Sequence, residues 1–492
     1  MSPKSPDLDE FVKTYDVRGL VGTQLTAEVV GALGAAFADE IGSAGSDIVV
    51  GHDMRDSSPD FARAFTVGAT ARGANVIAIG LCSTDETYFA SGSMDAAAAM
   101  FTASHNPASY NGIKFSRAGA QAISADTGLH AIRDRAKGYL ATGVPPAGEP
   151  GTVRELDILP RYAAYLRDLV DLAGVRPLRI VVDAGNGMAG LTVPAVLGTA
   201  AGLAELPIEV IPLYFDLDGT FPNHEANPLE PANLVDLQRA VVEHGADLGI
   251  AFDGDADRCF VVDESGAPVT PSAVAAIVAV REIERARASA SDDPSTGSGQ
   301  RIVVLHNLIT SRAVAEAIEE AGAVPVRTRV GHSLIKDEMA ATGAIFGGEH
   351  SAHYYFRDFW GADNGMLAAM HVLAEFGTQH EPLSVLAAKY MPYAMSGELN
   401  STVTDVPAAY ARIVDAFTGL AEFDELDGLT VTGLVDPGEP FWWFNVRPSN
   451  TEPLLRLNVE AATPAEMERI RDRVLSIIRA VGTAKEDHLG TR

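Results

Sequence analysis

The chain has 492 residues and a formal net charge of −29, from 37 Lys and Arg against 66 Asp and Glu. Such an acidic balance argues against nucleic acid or an anionic membrane as partner, since both reward clustered Lys and Arg. The length calls for several domains, each able to bury a core, and two cysteines, Cys82 and Cys259, are too few for a disulfide framework.

In chain order, the first twelve residues lack the basic and apolar pattern of a leader. No apolar stretch reaches the length that spans a bilayer, so a cytoplasmic protein is expected. Short apolar runs then alternate with Ala-rich segments: Ile48-Val49-Val50, residues 61–72, and Asn75-Val76-Ile77-Ala78-Ile79. This is the pattern of α/β layers with functional loops at strand ends. Further units begin near Leu178-Arg179-Ile180-Val181-Val182 and Ile302-Val303-Val304-Leu305. Beyond Lys389, Leu429-Thr430-Val431 and Phe441-Trp442-Trp443-Phe444 suggest a smaller α+β unit. The Pro/Gly-rich segment 141–150 reads as a boundary, and the low-complexity segment 289–300 as a disordered surface insertion.

Four loops carry chemistry. Thr102-Ala103-Ser104-His105-Asn106-Pro107 sets a small hydroxyl in a sharp turn, either as a plain capping turn or as a seat for a phosphoryl group. A serine hydrolase is disfavoured because the G-x-S-x-G elbow is missing. In Asp253-Gly254-Asp255-Ala256-Asp257-Arg258 the alternate carboxylates can converge on one hard divalent cation, with Arg258 able to reach a phosphate there. An EF-hand is disfavoured by Arg258 at the position that needs Gly and by strand-like flanks. Gly347-Gly348-Glu349-His350-Ser351-Ala352-His353 alternates a carboxylate, a hydroxyl and an imidazole. On a strand these would share one face and suit sugar hydroxyls. Arg447-Pro448-Ser449-Asn450-Thr451-Glu452-Pro453 offers a guanidinium, small polar side chains and backbone N–H groups to a phosphate dianion.

These four loops, in this order along the whole chain, resemble the α-D-phosphohexomutases, and within them the phosphomannomutase/phosphoglucomutase group. Further likeness lies in Tyr15-Asp16-Val17-Arg18-Gly19, Tyr110-Asn111-Gly112-Ile113-Lys114, Phe221-Pro222-Asn223-His224 and Val330-Gly331-His332-Ser333-Leu334-Ile335-Lys336. The resemblance implies three similar α/β domains over 1–160, 161–268 and 269–386, and a smaller C-terminal α+β domain over 387–492, around a central cleft. It implies a phosphoserine at Ser104 and Mg²⁺ held by Ser104, Asp253, Asp255 and Asp257. Sugar would be read by Glu349, Ser351 and His353. The non-transferring phosphate would be gripped by Arg447, Ser449, Asn450 and Thr451. Tyr15, Arg258 and His332 join the substrate-binding set.

The activity so implied interconverts hexose 6-phosphate and hexose 1-phosphate of mannose or glucose through a hexose 1,6-bisphosphate, with glucose or mannose 1,6-bisphosphate as activator, in a monomer or weak homodimer. Lys114 is the expected general base, its ammonium pKa movable by nearby positive charge or burial; Arg18 assists at the same phosphate, and His105 is a further candidate. Departures from the family pattern are Asn364 after Asp363, no proline after Thr84, and no lysine near His306-Asn307-Leu308-Ile309, which leaves His332 and Lys336 as cations of the third domain. Three alternatives remain. One is a glucosamine-phosphate mutase, another a sensor without turnover. The third is a nicotinamide-dependent oxidoreductase, suggested by Gly185-Asn186-Gly187-Met188-Ala189-Gly190 with Glu205 and Glu209 downstream.

Overall fold

Ile48, Val49 and Val50 lie in the strand Asp47–His52, the following Ala-rich segment in the helix Ser58–Ala71, and Asn75 to Ile79 in the strand Asn75–Leu81. The two strands pair in parallel. A helical crossover is the connection that parallel neighbours require. The computed structural model describes residues 6–292, 301–403, 405–434, 440–448 and 454–480, without the side chains of 290–292, 332, 333 and 480.

The described residues form four sheets. In the first, Asn75–Leu81, Asp47–His52 and Ala97–Phe101 run parallel, with Val153–Glu155 added beyond Asn75–Leu81, while Tyr110–Arg117 returns antiparallel to Ala97–Phe101 and to Val17–Leu20. In the second, Ile208–Leu213, Leu178–Asp183 and Leu248–Phe252 are parallel and Cys259–Asp263 returns antiparallel. In the third, Val324–Thr328, Val303–Asn307 and Phe346–Gly348 are parallel and Tyr354–Phe356 returns antiparallel. The fourth sheet is antiparallel throughout and carries the helices Val406–Phe417 and Pro464–Ala480.

In each α/β unit one parallel strand therefore turns into an antiparallel partner. The three connecting loops are 102–109, 253–258 and 349–353, and each carries one of the polar motifs. The fold places the same kind of loop at the same topological position three times. The hydrophobic cores are less modular than the length suggested. One continuous core runs from Val49 and Ile77 through Leu178–Val182 and Phe252 to Phe356 and Leu373, so the three α/β units share it, whereas the fourth unit packs around its own Val431, Phe444, Leu457 and Ile470.

Two sequence expectations change. The Pro/Gly segment 141–150 does not separate units, because Val153–Glu155 after it rejoins the first sheet. The helix Pro271–Asp292 runs through the first four residues of the low-complexity segment, and its remainder, 293–300, lies outside the described residues.

Helices Ala27–Glu40 and Ser58–Ala71 cross at glycine: a Cβ on Gly68 would sit 1.9 Å from the Gly31 carbonyl oxygen, and one on Gly34 2.3 Å from that of Phe65. Gly68→Ala is therefore expected to destabilise by about 1–3 kcal/mol through forced separation of the helices. Gly138→Ala, where an added Cβ meets nothing within 4 Å on the helix His130–Thr142, should be neutral or stabilising by up to about 1 kcal/mol. Chemical unfolding of the two variants distinguishes them, and equal stabilities would refute the close crossing.

The helix Thr84–Met94 begins with a capping box in which Ser83 and Glu86 bond each other's backbone N–H. Burial pushes the Glu86 carboxyl up to about 8, against the hydrogen bond from Ser83. A carboxyl raised on folding favours the native state fully at low pH and loses that contribution as pH rises through its folded value. Between about pH 5 and 8 the neutral Glu86→Gln variant should gain on the wild type by up to about 1.4 kcal/mol per pH unit. A stability difference that does not change with pH would contradict this.

Candidate functional site

Ser104 stands in the left-handed region at φ 50, where a non-glycine residue costs about 1–2 kcal/mol and needs support. The support comes from Arg55, a fully buried side chain that the sequence reading missed. Its guanidinium donates to the carbonyls of Ser104 (2.8 Å), Asn106 (2.7 Å), Pro107 (3.0 Å) and Tyr110 (3.0 Å), and pairs with Asp53 at 3.2 Å. The available signal was the charged pair directly after the strand, Asp53-Met54-Arg55, ahead of Ser58-Pro59. Its partners are backbone carbonyls some fifty residues away, which no spacing rule reveals. On the other side of the loop, Arg18 Nη1 donates to Asn106 Oδ1 at 2.6 Å, with its Nε on Asp16.

The serine meets the aspartate loop directly. Ser104 Oγ donates to Asp253 Oδ2 at 2.9 Å and lies 3.1 Å from His105 Nδ1. The approach is so close that a Cβ on Gly254 would fall 2.5 Å from the Ser104 carbonyl oxygen. Arg258 does not point to open space: its Nε donates to Asp253 Oδ2 at 2.9 Å and its Nη2 to His105 Nδ1 at 2.5 Å. His105 is held well below its ordinary value by burial and by the charges of Arg258 and Arg18, so its imidazole is neutral and Nδ1 accepts.

Asp253, Asp255 and Asp257 are buried and offer one oxygen each within 4.8 Å of one another. Burial raises Asp253 to about 7 despite Arg258, and the charges of Asp257 and Asp255 add to the rise. Burial acts the same way on Asp255, but Lys114 overrides it and holds that carboxyl well below the ordinary range. Lys114 Nζ bonds Asp255 Oδ2 at 2.7 Å and Asp257 Oδ2 at 2.5 Å. For Lys114 the deciding influence is neither burial nor nearby positive charge. Burial does oppose its charge, yet the two carboxylates outweigh burial and hold the ammonium well above its usual value. The remaining oxygens, Asp255 Oδ1 and Asp257 Oδ1, are buried with no hydrogen-bond partner. Two orphaned carboxylate oxygens beside a third acid fit a hard divalent cation. The flanking strands Leu248–Phe252 and Cys259–Asp263 form a hairpin, in place of the two helices of an EF-hand.

The third loop is also a hairpin turn. Glu349, Ser351 and His353 were expected to share a face by strand alternation. They lie instead between the strands Phe346–Gly348 and Tyr354–Phe356, with Ala352 at φ 67, and the turn itself gathers them. Ser351 Oγ lies 3.1 Å and Glu349 Oε2 3.8 Å from His353 Nδ1. Glu349 accepts from Tyr355 (2.7 Å), Asn307 (3.2 Å) and the Gly331 N–H (3.3 Å). His353 bridges to the aspartate loop, pairing backbone with Arg258 and bringing Nε2 to 3.9 Å from Asp257 Oδ1. Tyr15 reaches the same region, since a Cβ on Gly331 would lie 3.0 Å from its hydroxyl. Lys336 pairs with Asp363 at 2.8 Å and sits 4.0 Å over the Tyr88 ring.

Arg447 is the penultimate residue of the strand Trp442–Pro448 and donates to Glu398 at 2.8 Å. Its charge helps burial to lower His350, which places the fourth loop's guanidinium beside the third loop. Ser449, Asn450 and Thr451 lie outside the described residues, as does the side chain of His332, whose backbone opens the helix His332–Thr342. The glycines at 185–190 do follow a strand and precede a helix, but Gly187 is closed off by the aspartate loop. A Cβ there would be 2.7 Å from the Gly254 carbonyl oxygen, to which Met188 N–H donates at 2.9 Å. The turn that a dinucleotide would need is filled by protein.

Three α/β units and a fourth α+β unit that bring together a serine, an acidic loop able to hold a metal ion, and the cations Arg18, Lys114 and Arg258 have the make-up of a phosphoryl-transfer enzyme. Family models described as phosphoglucomutase/phosphomannomutase alpha/beta/alpha domains I, II and III and C-terminal domain match residues 9–140, 160–266, 274–393 and 398–477. "Phosphohexose mutases" of Xanthomonas campestris pv. campestris is 39% identical over 469 residues, 94% of this chain and 98% of that protein. A "Phosphomannomutase/phosphoglucomutase" of Pseudomonas aeruginosa is 35% identical over 486 residues, 98% of each. The crystal structure of a phosphoglucomutase/phosphomannomutase family protein from Burkholderia thailandensis superposes with a TM-score of 0.82 at 29% identity, covering 96% of this chain and 98% of that one. The chain belongs to the phosphoglucomutase/phosphomannomutase family, and its activity is that of a hexose-phosphate mutase. Among the described residues no helix is long and apolar enough to cross a membrane.

Arg55→Met removes four hydrogen bonds to carbonyls of the serine loop and leaves the buried Asp53 without its cation. It should cost about 3–5 kcal/mol of stability, the range for breaking a buried charged pair. Amide exchange over 103–112 should accelerate before that of the other sheets. Unchanged exchange in this segment would show that Arg55 does not hold the serine turn.

Proposed function

We propose that the chain interconverts the 6-phosphates and 1-phosphates of glucose and mannose through a phosphoserine at Ser104 and a hexose 1,6-bisphosphate. The observation that carries the reading is the 2.9 Å bond from Ser104 Oγ to Asp253, which seats a strained serine hydroxyl on the acidic loop. Phosphorylated Ser104 gives its phosphoryl group to the free hydroxyl of a hexose monophosphate. The bisphosphate reverses in the site and returns its other phosphoryl group to Ser104.

Catalysis of this kind is mostly positioning and charge neutralisation. Asp253, Asp255 and Asp257, with an oxygen of Ser104, would hold Mg²⁺, which when bound neutralises charge on the transferring group. Arg258 and the neutral His105 orient the serine oxygen. Arg18 and Lys114 supply positive charge on the other flank, and Lys114 is the proposed proton partner of the reacting oxygens. Glu349, Ser351 and His353 would take the central sugar hydroxyls, whose placement survives reversal. Arg447 with Ser449, Asn450 and Thr451 would grip the non-transferring phosphate, with Tyr15 and His332 at the third and first units' shared edge. The domain limits 1–160, 161–268, 269–386 and 387–492 are the proposed division.

A site anchored on central hydroxyls leaves C2 largely unread. Glucose and mannose phosphates should then differ in kcat/KM by no more than the about 1–3 kcal/mol of one lost contact, and glucosamine 6-phosphate should be poorer. Ser104→Ala should abolish turnover and lack the phosphate that intact mass reports on the wild type. Dephosphorylated wild type should need glucose or mannose 1,6-bisphosphate to restart, and EDTA should silence it until Mg²⁺ returns. Near-full activity of Ser104→Ala would refute the phosphoserine. Glucosamine 6-phosphate used better than both neutral sugars would refute the substrate assignment.

A further inference from the structure

We propose that Thr84 is a positioning residue for the metal site: it acts across the boundary between the first and second units by fixing which oxygen of Asp255 is offered to the cation. The proposal rests on reading Asp253, Asp255 and Asp257 as that site.

Thr84 is the first residue of the helix Thr84–Met94 and is fully buried. Its Oγ1 donates to Asp255 Oδ2 at 2.6 Å, and its backbone N–H donates to the Asp255 carbonyl oxygen at 3.1 Å. Lys114 donates to the same Oδ2 at 2.7 Å. Two donors therefore occupy Oδ2, while Oδ1 is buried and has none. A carboxylate that could spin about its Cβ–Cγ bond would present either oxygen, and Thr84 removes that freedom. The hydroxyl can do so because its own backbone is fixed twice. Ser83 and Glu86 close the capping box around it, and Asp85 accepts from Tyr162 of the helix Leu159–Leu169 at 2.5 Å. The β-branched side chain is in addition restricted at χ1 within a helix. Groups that orient metal ligands in this way are typically worth 10–100-fold in affinity.

The bland reading of Thr84 is a residue that merely fills space, and Val is its isostere without the hydroxyl. The test is Mn²⁺ binding to the full-length protein, followed by the free-ion EPR signal without substrate, for the wild type, Thr84→Val, Thr84→Ser and Asp257→Asn. Thr84→Val should bind Mn²⁺ about 10–100-fold more weakly while far-UV circular dichroism stays unchanged, and Thr84→Ser, which keeps the hydroxyl, should bind like the wild type. If Thr84→Val does not fold, Thr84→Ala takes its place with the same expectation. Wild-type affinity in Thr84→Val alongside lost binding in Asp257→Asn would overturn this proposal alone. Equal weakening in Thr84→Ser and Thr84→Val would also overturn it, by assigning the effect to packing. A wild type that binds no Mn²⁺ would overturn the metal reading together with it.

Discussion

The structure depends on holding three aspartates adjacent to one another in a buried place. Carboxylates out of water are costly unless cations and donors compensate them, and here Arg258 within the loop is joined by Lys114 and Thr84 from the first unit. No single unit could hold the loop in this form. The shared core beneath the three α/β units provides the rigidity that lets the polar groups meet at hydrogen-bond distance.

The repeated topology explains why the loops meet at all. Each of the three units ends a parallel strand in a hairpin to an antiparallel neighbour, and ligand-binding loops of open α/β sheets lie at such carboxyl ends. The tight spacing is enforced by glycine. Gly254 allows the acidic loop to lie against the Ser104 carbonyl, and Gly187 allows the opening turn of the second unit to lie against Gly254. A side chain at either place would separate the serine from its aspartate.

The fourth unit is attached differently. It has its own core, and its contacts with the third unit include polar ones: Arg312 N–H to Glu460 at 3.0 Å, Val330 N–H to Asp427 at 3.0 Å, and Tyr393 to Glu316 at 2.8 Å. Interfaces of this polar kind resemble those between domains that move, in contrast to the apolar contact among the first three. Arg447, on this unit, is held by Glu398 beside the third loop. The guanidinium thus arrives at the cleft already oriented by an ion pair.

By itself the sequence determined the fold class, the strand–helix alternation of the first unit, and the three motif-bearing loops of the α/β units. These are local properties, set by apolar periodicity and by residue types that only turns and ligands favour. It misjudged what depends on partners distant along the chain. The parts played by Arg55 and Thr84 are not legible in the sequence because their bonds are to carbonyls and a carboxylate contributed by other loops. For Lys114, burial and positive charge were the influences considered, and only the tertiary structure shows the two aspartates that raise its pKa. Glu349, Ser351 and His353 come together by a turn and not by strand alternation, because the strand ends at Gly348. Spacing along the chain reports which residues can share a face. The electric field and hydrogen bonds at a buried site come from whatever packs against it, and packing is decided in three dimensions.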